Sequence, residues 1–314
     1  MNKRHETTIG LDIGGTKTAI VEGTCHAQVL QRTEVPTEAA RSFDETFPQL
    51  AALIEQTIAQ ATQAERRATA LSVSIGGPLR IAEGVLLDPP HLPGWHGARL
   101  KDRLRARFPT LPVFIEHDGN AGALAEFHFG AGKGRRDLRH LIFLTFGTGL
   151  GAGLIVNGQI LHGATDTAGE VGHWRLAPHG PVGFGKAGSW EGFASGAGLV
   201  ELASLRFPRR WNAATPIRQL VDSMLANDPQ ALQVAEEAGE WMGRGMALLV
   251  DAFNPQVIVL GSLAVVLGER ILVSARRVLA QEALPQAVAA CEILPSALGK
   301  NIGDIAALMA RLAQ

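Results

Sequence analysis

The 314-residue sequence predicts an α/β fold duplicated within one chain, with a cleft between the two halves. Three observations predict it. Each half opens with an apolar strand pattern that runs into a glycine turn carrying a threonine, Gly14-Gly15-Thr16 and Gly147-Thr148-Gly149. Each turn is followed by further strand patterns and then by alternating helices and strands. No low-complexity linker separates the halves, so two units of about 150 residues should pack against each other.

In the first half, Thr8-Ile9-Gly10-Leu11-Asp12-Ile13 reads as a strand, residues 18–22 as a second and 29–35 as a third. Ser42 with Glu45 three residues on is a capping-box signal, and Leu50, Leu53, Ile54 and Ile58 then recur at helical spacing. Residues 70–75 form a strand stopped by Gly76-Gly77-Pro78. The Pro-rich stretch 84–96 is a loop, 98–108 a basic amphipathic helix, 113–115 a short buried strand and 120–129 a helix. The basic side chains Arg99, Lys101, Arg103, Arg105 and Arg107 are expected on that helix's wet face.

In the second half, residues 141–146 are a strand ending at Gly147, and 152–156 with 159–161 form a hairpin about Asn157-Gly158. A Gly/Pro-rich stretch spans 163–198. Helices are expected at about 195–206 and 230–252, the latter ending at Asn254-Pro255. A strand at 257–260, a helix over 263–279, a strand at 292–294 and a helix over 303–312 complete the chain.

Composition narrows the function. With 46% apolar and 19% charged residues the chain is globular rather than disordered. A formal net charge of −1 gives no field to attract nucleic acid or an anionic membrane. Only Cys25 and Cys291 are present, which excludes a disulfide framework and a zinc site built from cysteines. The N-terminal segment is polar, with no apolar signal core before Asp12, and the long uncharged stretch 140–165 is broken by glycines and a turn. A reducing, cytoplasmic compartment fits best. The 36 glycines imply either many left-handed turns or close approach of backbone to a ligand.

The first turn, Asp12-Ile13-Gly14-Gly15-Thr16-Lys17, offers backbone N–H groups, a hydroxyl and a cation to a phosphate. Asp12 leaves the strand towards the same spot and suits a hydrated Mg²⁺. The segment is not a Walker A loop, because Thr16 stands at the lysine position and no helix follows. The second turn, Gly147-Thr148-Gly149-Leu150-Gly151, superficially fits a dinucleotide fingerprint, but a hairpin follows where that motif needs a helix. Either turn alone reads as a tight hairpin; two at matching positions favour a phosphate clamp. Asp118, after the buried strand and before a helix, reads as an N-cap or as a base that takes a proton from an attacking hydroxyl. His117 and Asn120 are its expected hydrogen-bonding neighbours. Glu170, His173 and Glu191 lie in Gly-rich loops and read either as solvated surface or as acceptors for a polyol. The run Lys133-Gly134-Arg135-Arg136 reads as a solvated loop.

Together these segments resemble the ROK family of sugar kinases and repressors, within the actin/hexokinase/Hsp70 ATPase superfamily. GLDIGGTKT (10–18), SIGGPL (74–79), EHDGNAGALAE (116–126), FLTFGTGLGAGLIVNGQILHG (143–163), AGEVGH (168–173), GSWEGFASG (188–196) and IVLGS (258–262) carry the resemblance over nearly the whole chain. It implies duplicated ribonuclease H-like domains, a smaller one of residues 1–118 plus 302–314 and a larger one of 119–301, closing on substrate and forming a homodimer. It implies ATP with Mg²⁺ as phosphoryl donor and a hexose as acceptor, glucose first, with an N-acetylhexosamine or fructose as alternatives. Asp118 matches the general base. Gly76, Gly77, His117, Asn120, Glu170, His173 and Glu191 match sugar-side positions. Asp12, Gly14, Gly15, Thr16, Lys17, Gly147, Thr148, Gly149, Gly151 and Gly261 match ATP-side positions.

Two departures from the family pattern stand out. Its zinc-ligand cysteines fall here on Val182, Phe184 and Ser189, so no structural zinc is expected, and packing by Phe184 and Trp190 should hold those loops. The residue before the base is usually Asn and here is His117, which bears on sugar identity. The repressors' helix-turn-helix extension has no counterpart before the first strand, which argues against direct DNA binding. The rival readings are a catalytically idle sugar sensor on the same fold and a chaperone-type or filament-forming ATPase.

Overall fold

A computed structural model of the chain describes residues 5–313. The early elements are β1 (Glu6–Ile13), β2 (Lys17–Gly23), β3 (Val29–Pro36), α1 (Phe43–Gln63), β4 (Arg67–Ile75), β5 (Leu79–Arg80), β6 (Val85–Leu86), α2 (Leu100–Arg107), β7 (Val113–His117) and α3 (Asp118–Phe129). There follow β8 (Leu141–Leu144), β9 (Ala152–Val156), β10 (Gln159–Ile160), β11 (Val182–Gly183), β12 (Lys186–Ala187), α4 (Trp190–Ala194), α5 (Gly196–Arg206), α6 (Ile217–Leu225) and α7 (Pro229–Phe253). The chain ends with β13 (Val257–Leu260), α8 (Leu263–Leu267), α9 (Glu269–Glu282), α10 (Pro285–Ala289), β14 (Glu292–Pro295) and α11 (Ile302–Met309).

The chain divides into two compact units. One runs up to Lys133 and takes in residues 160–168 and the C-terminal segment from Lys300; the other is 134–159 with 169–299. Helix α3, expected to open the second domain, falls in the first unit, where it packs on α11.

The duplication is visible in the sheets. The first has the order β3-β2-β1-β4-β7 and the second β10-β9-β8-β13-β14. In each, the strand entering the glycine turn pairs antiparallel with the strand leaving it (β1 with β2, β8 with β9). On its other side it starts a parallel run, β1-β4-β7 in one and β8-β13-β14 in the other.

Strand β1 is buried on both faces, as parallel strands between helices are. Ile9, Leu11 and Ile13 face a core with Phe43, Phe47, Leu50 and Ile54 of α1. The alternate residue Gly10 lies against Ala307 and Leu308 of α11, so helices cover opposite faces. Helix α1 starts at the expected capping box: Glu45 N–H donates to Ser42 Oγ at 3.4 Å, and Ser42 N–H to Glu45 Oε2 at 3.0 Å. Such a cap stabilises a helix by about 1 kcal/mol.

In the second unit α7 is capped by Asp228, which accepts from Gln230 and Ala231 N–H at 3.1 and 3.0 Å. It crosses α9 closely because Gly239 and Gly243, one turn apart, leave room for the backbone at Ile271 and Ala275. These glycines serve helix packing, not a ligand.

Several local expectations are corrected. The helix over 263–279 is two, α8 and α9, because Gly268 with φ +55° interrupts it. Helices α6 and α10 and the β5–β6 and β11–β12 hairpins lie in stretches read as loop or left unread. Lys101 is not on a wet face: it is 5% exposed and its Nζ donates to the Ala82 carbonyl at 3.0 Å. Arg135 is tied down by Glu292 at 2.5 Å, so the 133–136 loop is not wholly solvated.

Candidate functional site

In the first unit the parallel register sets the geometry. Asp12 pairs with Ser74, and Ser74 with Glu116, so β1, β4 and β7 end at one level. Their C-terminal ends deliver the Gly14–Thr16 turn, Gly76-Gly77 and His117-Asp118 to one edge, the usual ligand-binding edge of such sheets.

The first turn is closed by Gly14 N–H to Lys17 O at 3.0 Å. Thr37 braces it, its hydroxyl donating to Gly14 O at 2.6 Å and its N–H to Thr16 O at 3.0 Å. Gly15 is required by space, because a Cβ there would come within 2.6 Å of the His91 carbonyl. Among the described residues, the amides of Gly15 and Thr16 donate to no protein acceptor. Two adjacent unused N–H groups form an anion-binding concavity. Lys17 is less available than expected, because its ammonium pairs with Glu34 at 2.6 Å.

Asp12 lies against Gly303 in the first turn of α11. Burial, then the carboxylates of Asp118 and Asp304, push its carboxyl up to about 7, with Arg32 opposing. Arg32 forks onto both oxygens of Asp304 at 3.0 Å and reaches Glu34 at 2.5 Å. The edge therefore carries surplus negative charge, which a hydrated cation would relieve.

Asp118 is not the N-cap. It is the first residue of α3; His117 holds the cap position, its Nδ1 accepting from Gly119 N–H at 3.2 Å. Asp118 keeps 47% side-chain exposure. Its Oδ1 accepts from Gly119 N–H at 2.7 Å, leaving Oδ2 on the side of Gly76. The His117 ring lies on Gly77, where a Cβ would come 2.6 Å from Cδ2. Asn120 is 2% exposed, and its amide nitrogen donates to Glu116 Oε1 at 2.8 Å. It sits behind the turn, not at its surface.

The sequence reading missed what lies under that turn. Glu116 is fully buried and accepts from His117 N–H at 2.9 Å, from Asn120, and from His162 Nε2 at 2.9 Å. Hydrogen bonding to Glu116 raises the His162 pKa. Asp166 ties the same segment down, accepting from Ile81 N–H at 2.9 Å. A lone His in a Gly-rich loop gave no signal of this.

In the second unit β8 and β13 end side by side and deliver the Gly147–Gly151 turn and Gly261. Thr145 N–H donates to Gly151 O, and Gly151 N–H to Thr145 Oγ1, both at 2.9 Å. The N-terminal amides of α5 bind the turn's carbonyls, Gly196 to Gly147 at 2.7 Å and Ala197 to Thr148 at 3.2 Å. Among the described residues, the amides of Thr148 and Gly149 donate to no protein acceptor, matching Gly15 and Thr16. Ser262, beside Gly261, has φ +35°, a strained value for a residue with a side chain. Nothing in the sequence pattern around Ser262 signalled that strain.

Glu191 belongs to the same framework. Its Oε2 accepts from Leu150 N–H of the Gly147–Gly151 turn at 2.9 Å. Gly172 backs onto Leu150 and onto the Glu191 Cβ at 3.3 Å, and Ala152 N–H donates to Gly169 O at 2.8 Å. The 169–173 loop, with half-buried Glu170 and exposed His173, is thus fixed to both the turn and α4. Of the residues at the family's cysteine positions, Ser189 caps α4, accepting from Gly192 N–H at 3.1 Å, and Val182 is exposed. Phe184 sets its ring against His173, 4.7 Å between centroids. Trp190 is a fully buried core residue stacked on Trp174.

The family profile described as ROK family matches residues 8–312. A glucokinase of Streptomyces coelicolor is 33% identical over 271 residues, covering 81% of each chain. An N-acetylmannosamine kinase of Salmonella paratyphi A is also 33% identical, covering 90% of this chain and 91% of its own. The crystal structure of a ROK family glucokinase from Streptomyces griseus in complex with glucose and AMPPNP superposes with a TM-score of 0.79 at 28% identity, covering 96% of this chain and 98% of that one.

Proposed function

The chain belongs to the ROK family, and from that premise we infer that it is an ATP-dependent hexose kinase acting on glucose. One observation carries the reading: two duplicated turns each hold two adjacent backbone amides with no protein acceptor among the described residues, Gly15-Thr16 and Thr148-Gly149. That is what polyphosphate binding by backbone requires. The glucokinase relatives and the glucose-bound structure support glucose as the acceptor.

Asp118 is the general base. It is exposed enough to meet a hydroxyl, and one oxygen is tied to Gly119, which orients the other. Phosphoryl transfer then needs mainly positioning and neutralisation of charge. Glu170, His173 and Glu191 bind the sugar, with His117 as a further contact, and Gly76 and Gly77 leave room for it. The Asp12–Thr16 and Gly147–Gly151 turns with Gly261 bind ATP. Mg²⁺ would accompany ATP, and Asp12, whose carboxyl burial and the nearby Asp118 and Asp304 carboxylates push up, would hold it through water. When bound, the ion neutralises phosphate charge. A homodimer, cytoplasmic work and no nucleic-acid partner complete the reading, in line with the net charge of −1. No helix among the described residues is long and apolar enough to cross a membrane.

A second acceptor, N-acetylmannosamine, is favoured by the 33% identity to the Salmonella kinase and by His117, whose ring abuts Gly77 at the sugar-side edge. A coupled ADP-release assay over glucose, N-acetylmannosamine, N-acetylglucosamine and fructose decides. Glucose should give the highest kcat/KM. A higher value for the amino sugar would transfer the assignment, and sugar binding without turnover of any would identify an idle sensor.

A further inference from the structure

His173 closes a short 3₁₀ turn, Val171–His173, and its ring is exposed. The β11–β12 hairpin holds that ring on two sides. Phe184, at the tip with φ +54°, presents a ring at 80° to it. Lys186, on β12, places Nζ 3.0 Å from His173 Nδ1 and 2.7 Å from the His173 carbonyl oxygen. The hairpin is itself anchored to α4, since Ser189 Oγ donates to Gly183 O at 2.9 Å and accepts from Gly192 N–H.

An ammonium group has three donors and no acceptor. Nδ1 of His173 must therefore be the acceptor, and the ring proton lies on Nε2. The tautomer of a histidine is set by the bond its other nitrogen makes, and the orientation of the ring with it. The carbonyl contact fixes Lys186 to the backbone of the same residue, so ring and lysine cannot shift independently.

We propose that Lys186 is a positioning residue for sugar phosphorylation: it holds His173 with Nε2–H outward, as a hydrogen-bond donor to a sugar oxygen. Lys186 touches no substrate itself. The proposal rests on the reading of His173 as a sugar ligand. In the absence of Lys186 the exposed ring turns and exchanges its proton between nitrogens, so the sugar no longer meets a fixed, oriented donor.

Three full-length variants test this: Lys186→Met, Lys186→Arg and His173→Ala. Lys186→Met should raise the glucose KM about fivefold, the worth of one oriented hydrogen bond, while kcat and the ATP KM stay near wild type. Lys186→Arg, which retains a donor, should restore most of the loss. Lys186→Met on the His173→Ala background should add nothing further. In ¹⁵N-histidine-labelled enzyme without ligands, the signal removed by His173→Ala should show Nε2–H in the wild type and a growing Nδ1–H fraction in Lys186→Met. A merely structural lysine would lower the melting temperature and move kcat and both KM values together, which would overturn the proposal. An unchanged glucose KM and unchanged His173 signals in Lys186→Met would overturn it too. A wild-type glucose KM in His173→Ala would instead overturn the sugar-ligand reading, and the imidazole signals would still decide the Lys186–His173 pairing.

Discussion

Replacing Asp12 by Asn should stabilise the unliganded protein at alkaline pH while removing its activity. Burial and the carboxylates of Asp118 and Asp304 raise the Asp12 pKa from 3.8 to about 7. That is about three units at ~1.4 kcal/mol each, hence ~4 kcal/mol at most. Asp12 is half-buried, so solvent screening brings the expected effect down to about 2 kcal/mol. The folded value lies above the unfolded one, so the ionised carboxylate costs nothing below about pH 4. The cost grows as pH climbs towards 7 and is complete above that. Asn has nearly the same shape and never ionises. Urea unfolding of both proteins at pH 5 and pH 8.5, without nucleotide, isolates the contribution of Asp12 and of the carboxylates it repels, because titrating groups that do not interact with it cancel in the difference. Asp12→Asn should unfold at higher urea at pH 8.5, with a clearly smaller advantage at pH 5. Saturating Mg²⁺-ATP should stabilise the wild type more than the variant. Equal stability at pH 8.5, or the same offset at both pH values, would refute the reasoning. Loss of function with gain of stability is the expected trade-off where a destabilised group serves the site.

Asp118→Asn should lower turnover by two to four orders of magnitude, about what loss of a general base costs, while calorimetric glucose binding persists; near-normal turnover would exclude it as the base. The His162–Glu116 bond raises the folded His162 pKa above its unfolded 6.5, so its contribution is complete below that pH and lost as pH rises through the folded value. His162→Gln should therefore destabilise the protein more at pH 6 than at pH 9, and a pH-independent loss would show that the bond involves no extra proton. Gly245 lies on the ring of buried Trp190, next to Glu191. Gly245→Ala should cost about 1–3 kcal/mol by overpacking and raise the glucose KM, checked by thermal unfolding and steady-state kinetics; an unshifted melting curve would show that the core yields at no cost.

What was legible in the sequence was local or periodic. The Ser42–Glu45 cap, the Asn157-Gly158 hairpin, the strand patterns and the repeated strand–turn–strand order each depend on residues a few positions apart. A neighbour in the chain is a neighbour in space at that range. The two glycine turns were legible for the same reason: glycine, threonine and the flanking strands lie in one short segment. The element boundaries that went astray, such as the break at Gly268, turn on a single backbone angle that the apolar spacing on either side of it does not report.

The tertiary structure alone decided which charges are free and which are held. Lys17 looks like a phosphate cation until Glu34, on a strand paired beside its own, is seen to hold it. Lys101 follows the pattern of an exposed helix face yet is buried against the Ala82 carbonyl. Asn120 and Glu116 sit beside Asp118 in the motif, but strand register turns Glu116 inward to meet His162, 46 residues away. His173 acquires its tautomer from Lys186 across a hairpin of two residue pairs. Sequence alone determined the fold class and the duplication, because those follow from local pattern. The pairing of each polar group follows from packing between distant segments, and pairing sets which donors, acceptors and charges remain for a substrate.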